Sequence, residues 1–300
     1  PVWMTLPVIL HRPLPEGGVI TWAKAIRRRV GPHFRWCLQI TVDVPTPMDA
    51  PGCGVAGIDV GWRLMDDGGL RVAYVLGNDA SREDLRLPPR LVEAFRKIHD
   101  IATIRDHAFD VARADLGDWI AANKNLPDWL RSATETLRAW KSAGRLARVV
   151  LDWRTRRFDG DDATYATIEA WRQRDRHLWC WQAHGREQAL ARRRDIYRRF
   201  ARRVADAYGV VAIEEMDMRY WARRVRVEQD ENQEQSQRWQ RNVACISSLR
   251  AILVAAIEAR SGRITKLQPE YTTQMCSGCG HVEAFDAKRE VIHTWECGHT

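Results

Sequence analysis

Apolar and polar positions alternate with a period of two in four stretches of the first eighty residues. Val19, Ile20 and Trp22 open the first, over 19–29. Trp36, Leu38, Ile40 and Val42 carry the second, over 33–44, with Gly31-Pro32 between them. This period predicts a small β element whose tip is Arg27-Arg28-Arg29. Pro45, Pro47 and Pro51 then read as a linker. The third and fourth stretches, 55–65 and 70–77, flank Asp66-Asp67-Gly68-Gly69, a hairpin-turn sequence. Ala56-Gly57-Ile58 is small and apolar, which predicts a central strand.

From Pro88 to about Arg203 the period becomes helical. Leu91, Phe95, Ile98 and Ile101 recur on one face. Asn125-Leu126-Pro127 breaks the pattern and Asp128 reads as the cap of the next helix. Gly144 and Phe158-Asp159-Gly160-Asp161 are further breaks. The block is too long for a loop and reads as a helical insertion. Residues 186–207 predict a strongly basic helix, with Leu190, Ile196, Tyr197, Phe200 and Val204 on its apolar face. Gly209 ends it, and the buried run Val210-Val211-Ala212-Ile213 leads to Glu214. A helix over about 241–260 carries Ile246, Leu249, Leu253 and Ile257 on one side, and Ile264 to Leu267 form a last strand. The order of elements predicts an α/β fold interrupted by helices, with no internal repeat.

Charge changes the picture. The chain has 300 residues and a net charge of +8, and much of the basic excess is arginine. Guanidinium groups fork onto phosphate oxygens and stack on bases. With 14 tryptophans interleaved among them, nucleic acid is the expected partner, although most of those rings are expected to pack in cores. Charge runs also have a plain reading as solvated helix faces. Of seven cysteines, Cys37, Cys53, Cys180 and Cys245 read as reduced, buried thiols. The other three cluster, as metal ligands do in a reducing compartment. No apolar run nears the length of a membrane span, and no signal peptide is visible. The expectation is a cytoplasmic protein with no membrane partner. A start at Pro1 without Met and a stop at Thr300 read as a piece of a longer protein.

Two acids stand at predicted strand ends. Asp59 lies in Gly57-Ile58-Asp59-Val60-Gly61, and Glu214 closes the apolar run before it. A carboxylate on a buried strand is costly unless it is paired or metal-bound. The plainer alternative is an acid satisfied by backbone donors. Glu215 would face away from Glu214 on a strand, so only one of them can join Asp59. Two such carboxylates suit Mg²⁺, which prefers oxygen ligands and keeps waters. Two ions of that kind can position a water and stabilise the leaving oxygen of a phosphodiester. No third acid of the same context occurs within 1–300; Asp217 and Asp286 have the wrong surroundings.

Cys276-x2-Cys279 followed by Gly280 is a knuckle that lets backbone amides approach thiolates. Cys297, before Gly298, is the expected third ligand of a structural Zn²⁺. His293 is the favoured fourth ligand, with His299 as the alternative and His281 behind both. A pair of free thiols in a loop is the competing reading.

Gly57-Ile58-Asp59-Val60-Gly61, Ile213-Glu214-Glu215-Met216 and Tyr271-Thr272-Thr273-Gln274-Met275-Cys276-Ser277-Gly278-Cys279-Gly280 stand in an order that resembles the C-terminal half of a type V CRISPR effector (Cas12 family), or of its transposon-encoded relative TnpB. The resemblance covers about 51–300. It implies an RNase H-like (RuvC) domain with a helical insertion, a zinc-ribbon lobe and a small N-terminal β element. By this resemblance, 1–50 would be the tail of a wedge-like β domain, 51–80 the first RuvC segment and 81–185 the helical insertion. Residues 186–270 would be the second RuvC segment, with its basic helix and lid. Residues 271–300 would be an incomplete target-nucleic-acid-binding lobe.

By the same resemblance, Asp59 matches the first catalytic acid and Glu214 the second, while the third would lie past Thr300. Thr294 stands where a third cysteine is usual. The small domains and the Trp/Arg-rich style resemble the miniature subtype V-M branch, which silences targets by RNA-guided binding without cutting. The implied partners are a guide CRISPR RNA and target double-stranded DNA, in a monomeric ribonucleoprotein. Candidate nucleic-acid contacts are Arg27, Arg28, Arg193, Arg199, Trp221, Arg223 and Arg224. The alternatives are an active RNA-guided endonuclease using two Mg²⁺ ions and a transposon-associated TnpB nuclease.

Overall fold

A computed structural model describes residues 5, 7–10, 13–30, 33–44, 52–123, 125–215, 231–267, 276, 278–283 and 294–298. The chain divides into two compact units, one of 1–47 with 93–192 and one of 48–92 with 193–300.

The first unit opens with β1 (Val19–Val30) and β2 (His33–Asp43), an antiparallel ribbon in register from Val19↔Asp43 to Val30↔His33. The alternation seen in the sequence does form strands. It does not mark a buried face, since Trp22, Phe34 and Trp36 are all exposed. The helices that follow are α1 (Pro89–Ala122), α2 (Asp128–Thr134), α3 (Ala143–Thr155) and α4 (Asp162–Ala207). Leu116, Leu130, Leu146, Val150, Trp153 and Ile168 fill the core of this unit. Trp153 stacks on Phe158 and meets Tyr165 edge-on. Pro127, not Asp128, takes the cap position of α2; Asp128 is its first helical residue. There its carboxylate faces the positive end of the helix dipole.

Residues 186–207 are not a separate helix. They are the C-terminal half of α4, which runs for 46 residues without a break. Strand β6 (Tyr208–Glu214) begins directly after it, so Gly209 lies inside the strand instead of ending the helix.

The second unit is built on a five-stranded sheet. Its strands are β3 (Gly54–Leu64), β4 (Leu70–Gly77), β5 (Arg82–Leu87), β6 and β7 (Arg263–Leu267), in the order β5-β4-β3-β6-β7. The β5-β4-β3 half is an antiparallel meander; β6 and β7 run parallel to β3. That is the RNase H-like arrangement. β3 is central, as its small apolar residues predict. One sheet face is apolar, with Ala56, Ile58, Val60, Val72, Val75, Val211 and Ile213 buried. Tyr197, Phe200 and Val204 of α4 are buried in the same unit.

Of the helix predicted over 241–260, Ile246–Glu258 forms α6, while 241–244 are the end of a separate helix, α5 (Glu231–Ala244), most of which falls in the polar stretch before it. Cys245 between them adopts left-handed backbone (φ 45°). α5 packs against β3 and β4, and α6 beside β7. The stretch Ser236–Glu258 has the length and apolarity of a membrane span by composition. Here it bends at Cys245 and buries Ile246, Leu249, Leu253 and Ile257 in the core.

Candidate functional site

The parallel ladder between β3 and β6 pairs Gly57 with Ala212 and Ile58 with Ile213. Ile58 and Ile213 are both buried, so both point into the apolar face of the sheet. Asp59 and Glu214 follow them by one residue, and alternation turns both to the opposite face. Two carboxylates far apart in the chain therefore share one side of the sheet, but only Glu214 ends its strand; Asp59 lies midway along β3, not at a strand end as its sequence context suggests. Asp59 as a residue is exposed, unlike the buried position read from its apolar neighbours. Even so, lost hydration at its carboxyl raises it above the ordinary aspartate range, and the positive charge of Arg71 opposes that rise. Gly57, two residues before Asp59, shares its face, and a Cβ there, as at Gly61, would meet nothing within 4 Å. The face beside the acid is open to a bulky ligand.

Glu215 is engaged elsewhere. Its N–H donates to Leu267 O at 2.7 Å, and its carboxylate lies 3.6 Å from Lys266 Nζ.

A second charged group on this face departs from the sequence expectation. Tyr74 of β4 pairs with Asp59 on one side and with Asp84 of β5 on the other. A register irregularity between Arg71 and Ala73 puts Val72 and Ala73 both on the buried side. Arg71 and Tyr74 thereby share the open face. Arg71 Nη1 is 3.9 Å from Asp84 Oδ1, while Arg86 Nη2 donates to Asp84 Oδ2 at 2.5 Å. The sequence does carry a signal: Arg71 and Tyr74 interrupt an otherwise apolar strand three residues apart, a spacing that only a bulge brings to one face.

Cys276, Cys279 and Cys297 gather with their sulfurs within 4.8 Å of one another. Two turns present them. Gly280 N–H donates to Cys276 O at 2.9 Å, and Gly298 N–H to Trp295 O at 2.8 Å. Gly280 (φ 73°) and Gly298 (φ 82°) take left-handed backbone directly after a cysteine in each turn. Burial works against ionisation of Cys276, but the Cys279 and Gly278 amides and the neighbouring thiols outweigh it and bring the thiol down to about 7. Beside Cys279 the His281 amide also favours the thiolate, but the two neighbouring sulfurs prevail and push that group up. Three convergent thiols on amide-rich turns are a donor set that fits a structural, thiophilic metal. His293 and His299 lie outside the described residues. Cys180 is buried as expected, whereas Cys37 and Cys53 are exposed.

The candidate arginines divide. Arg27 is exposed and stacks on Phe34, with its guanidinium carbon 4.4 Å from the ring centre. Arg28, also exposed, pairs with Glu187 at 2.9 Å. Arg199 is exposed and pairs with Asp195 one turn earlier at 2.8 Å. Arg193 departs from its expected role. Only 8% exposed, it donates to Val243 O at 2.8 Å and Asn242 O at 3.2 Å. Tyr197 donates to Ala244 O beside it. These contacts satisfy carbonyls that the end of α5 would leave open, and they place a cation at its negative pole. Arg193 braces the fold and is unavailable to a phosphate. Trp221, Arg223 and Arg224 lie outside the described residues.

No family model matches the chain. It is 35% identical over 297 residues to the CRISPR-associated DNA-binding protein Cas12m of Allomeiothermus silvanus, covering 97% of this chain and 54% of that protein. It is 34% identical over 303 residues to the protein of the same name in Thermanaerosceptrum fracticalcis, covering 99% of this chain and 51% of that one. The chain thus spans about half the length of the relatives it matches. A cryo-EM structure of the Cas12f1–sgRNA–target DNA complex aligns with a TM-score of 0.36 at 15% identity, over 92% of this chain and 42% of that one.

Proposed function

Because this chain is homologous to the Cas12m branch of type V CRISPR-associated proteins, we propose that it is the RuvC-containing portion of an RNA-guided DNA-binding effector. The whole effector silences targets by holding double-stranded DNA, with little or no cleavage. The observation that carries this reading is the 35% identity, sustained over nearly the whole chain, to a protein named for DNA binding. In such an effector, guide–target pairing reads sequence while the protein reads backbone shape and a short flanking motif. Arg27, Arg28 and Arg199 are solvent-facing and suited to phosphates; Arg27 over Phe34 also offers a flat surface to a base or sugar. The protein acts as a cytoplasmic ribonucleoprotein with a guide RNA.

Within that reading Cys276, Cys279 and Cys297 hold one Zn²⁺ together with His293 or His299. The ion folds a small target-binding lobe and does no chemistry. Asp59 and Glu214 are oxygen donors of the kind Mg²⁺ takes, and the partly dehydrated Asp59 carboxyl gains from a cation. Bound there, Mg²⁺ would supply charge to an attacking or leaving phosphodiester oxygen. The residues themselves hold negative charge on two neighbouring strands, with the side-chain-free positions Gly57 and Gly61 leaving room for a polynucleotide.

A second reading, an active RNA-guided endonuclease, is favoured by the register that aligns Asp59 with Glu214. A plasmid assay with the full-length ribonucleoprotein separates the two. Tight, guide-dependent DNA retention with equal, negligible nicking by wild type and Asp59→Ala supports the binder. Mg²⁺-dependent cutting that Asp59→Ala abolishes overturns it. Binding that needs no RNA removes both.

A further inference from the structure

We infer that Arg63, Arg71 and Arg86 form one phosphate track, which holds a strand of target DNA on the open side of β3, β4 and β5 without the help of a metal ion. The choice of DNA rests on the function proposed for the whole effector; the track itself rests on strand register. Arg63 of β3 stands directly opposite Arg71 of β4, and Arg71 directly opposite Arg86 of β5. Residues paired in this way share a face. The neighbouring row is Leu64, Leu70 and Leu87, and in it Leu70 and Leu87 are fully buried. Alternation therefore turns the arginines away from the core. Arg63 and Arg86 are exposed, and Arg71 is half-buried.

Like charges directly opposite each other on adjacent strands destabilise a sheet. Here β5, β4 and β3 set three side by side across about 10 Å, two strand spacings. Each guanidinium carries five donors. Among the described residues the row spends two of them, both from Arg86: Nη2 and Nε donate to Asp84 Oδ2 at 2.5 and 3.2 Å. Arg71 stays 3.9 Å from Asp84 Oδ1, beyond hydrogen-bond length. Asp59 and Asp67 add their fields to Arg71 and Arg86 without closing a bond on either. A row that repels itself and keeps most of its donors open is a poor structural device and a good anion receptor.

The spacing selects the anion. Planar guanidiniums fork onto phosphate oxygens. Three of them in a line fit successive phosphates of one backbone better than a single small anion. Tyr74 shares their face one row away. A basic track with an aromatic side chain beside it is how proteins hold single strands. Arginine stays charged at every pH the fold survives, so this hold needs no divalent ion and is weakened by salt.

The test uses the full-length ribonucleoprotein and measures retention of labelled target DNA over a salt series in EDTA, with guide RNA affinity measured alongside. Arg63→Gln and Arg71→Gln are each expected to weaken retention about three- to ten-fold and to flatten the slope of log affinity against log salt by about 0.7–0.9. Arg63→Lys and Arg71→Lys keep the charge and should keep the slope. Arg202→Gln removes an exposed charge outside the row and should also keep it. Arg63→Gln should melt no lower than wild type, since it relieves a like-charge pair, whereas a purely structural arginine would lose stability. Unchanged retention in the Arg63→Gln, Arg71→Gln double variant overturns the track and leaves the DNA-binding reading standing. Weakened guide RNA affinity with normal DNA retention assigns the row to RNA and overturns the choice of DNA. An equal loss of slope for Arg202→Gln overturns the row as a discrete site, and an effect seen with Mg²⁺ but absent in EDTA overturns the metal-free hold. Wild type that retains no DNA overturns the reading on which the choice of DNA rests.

Discussion

Ile58 of β3 stands opposite Ile213 of β6, and each is followed by a carboxylate. The pairing of two buried apolar residues fixes where Asp59 and Glu214 emerge, since a one-residue slip of either strand would send its isoleucine to the other face. Core packing of the two isoleucines sets where the acids stand.

That arrangement has a measurable cost. Lost hydration raises Asp59 above its ordinary value, so the folded state holds that proton more tightly than the unfolded chain does. The cost is absent at low pH, appears as pH rises from the unfolded value through the raised folded one, and persists at neutrality. Asp59→Asn should raise the melting temperature at pH 7 by about 1–3 °C, a figure kept small because the residue is partly solvated. The gain should vanish below the ordinary aspartate range. Added Mn²⁺ should stabilise wild type and leave Asp59→Asn unmoved in the same thermal scan.

Arg193 and Arg199, six residues apart on α4, should give opposite results. Arg193→Ala strips donors from two carbonyls at the end of α5 and is expected to cost about 2–3 kcal/mol in chemical denaturation. Arg199→Ala, which loses one exposed ion pair, should change stability by less than about 0.5 kcal/mol. If Arg199 meets a phosphate, its removal should lower the slope of log affinity against log salt by about one. Equal stability losses for the two variants would refute the division.

The helical unit carries its own acid-sensitive lock. Asp161 is fully buried. Burial opposes its charge, but Arg157, the Trp153 indole at 2.7 Å and the Phe158 amide at 3.1 Å outweigh that penalty and hold the carboxyl below its ordinary value. Its contribution is therefore complete above the ordinary aspartate value and is lost as pH falls through the lowered one. Asp161→Ala should cost about 3 kcal/mol, because it leaves a buried indole N–H unpaired and leaves Arg157 with Asp162 as its remaining carboxylate partner. Intrinsic tryptophan fluorescence should report it, with the wild-type unit losing its Trp153 environment only in strong acid.

What can be read from the sequence follows from how far each signal is local. The ribbon, β3, β4 and β7 are legible because alternation and turn chemistry are properties of neighbours. β5 is not: Arg82, Glu83, Asp84 and Arg86 mask the two residues it buries, Leu85 and Leu87. The break at Cys245 carries no Gly or Pro, so 241–244 read as the start of α6, and the polar composition of 231–240 hides the rest of α5. Arg193 looks like every other arginine of its run; its burial is set by α5, about fifty residues away, which the chain cannot announce. Arg71 escapes a periodic reading because a bulge, not a period, puts it on the same face as Tyr74. The acids and the cysteine turns are legible because their chemistry is written in short motifs, although the open exposure of Asp59 is not.

The cysteine lobe should exist only with its metal. Among the described residues near it, Cys276 and Trp295 are buried, while Cys279 and Cys297 are exposed. An ion held by three thiolates would contribute folding free energy directly to the two turns that carry them. Freshly purified protein should carry one equivalent of zinc by elemental analysis. Cys279→Ser and Cys297→Ser should each lose most of it, since a hydroxyl is a far poorer zinc ligand than a thiolate. Chelation should open the segment around 276–298 to limited proteolysis and leave the five-stranded sheet intact, because none of the sheet strands includes a cysteine ligand. Restored protection on adding back Zn²⁺, but not Mg²⁺, would assign the site to a thiophilic ion. Full protection in protein stripped of zinc would show that the turns hold themselves.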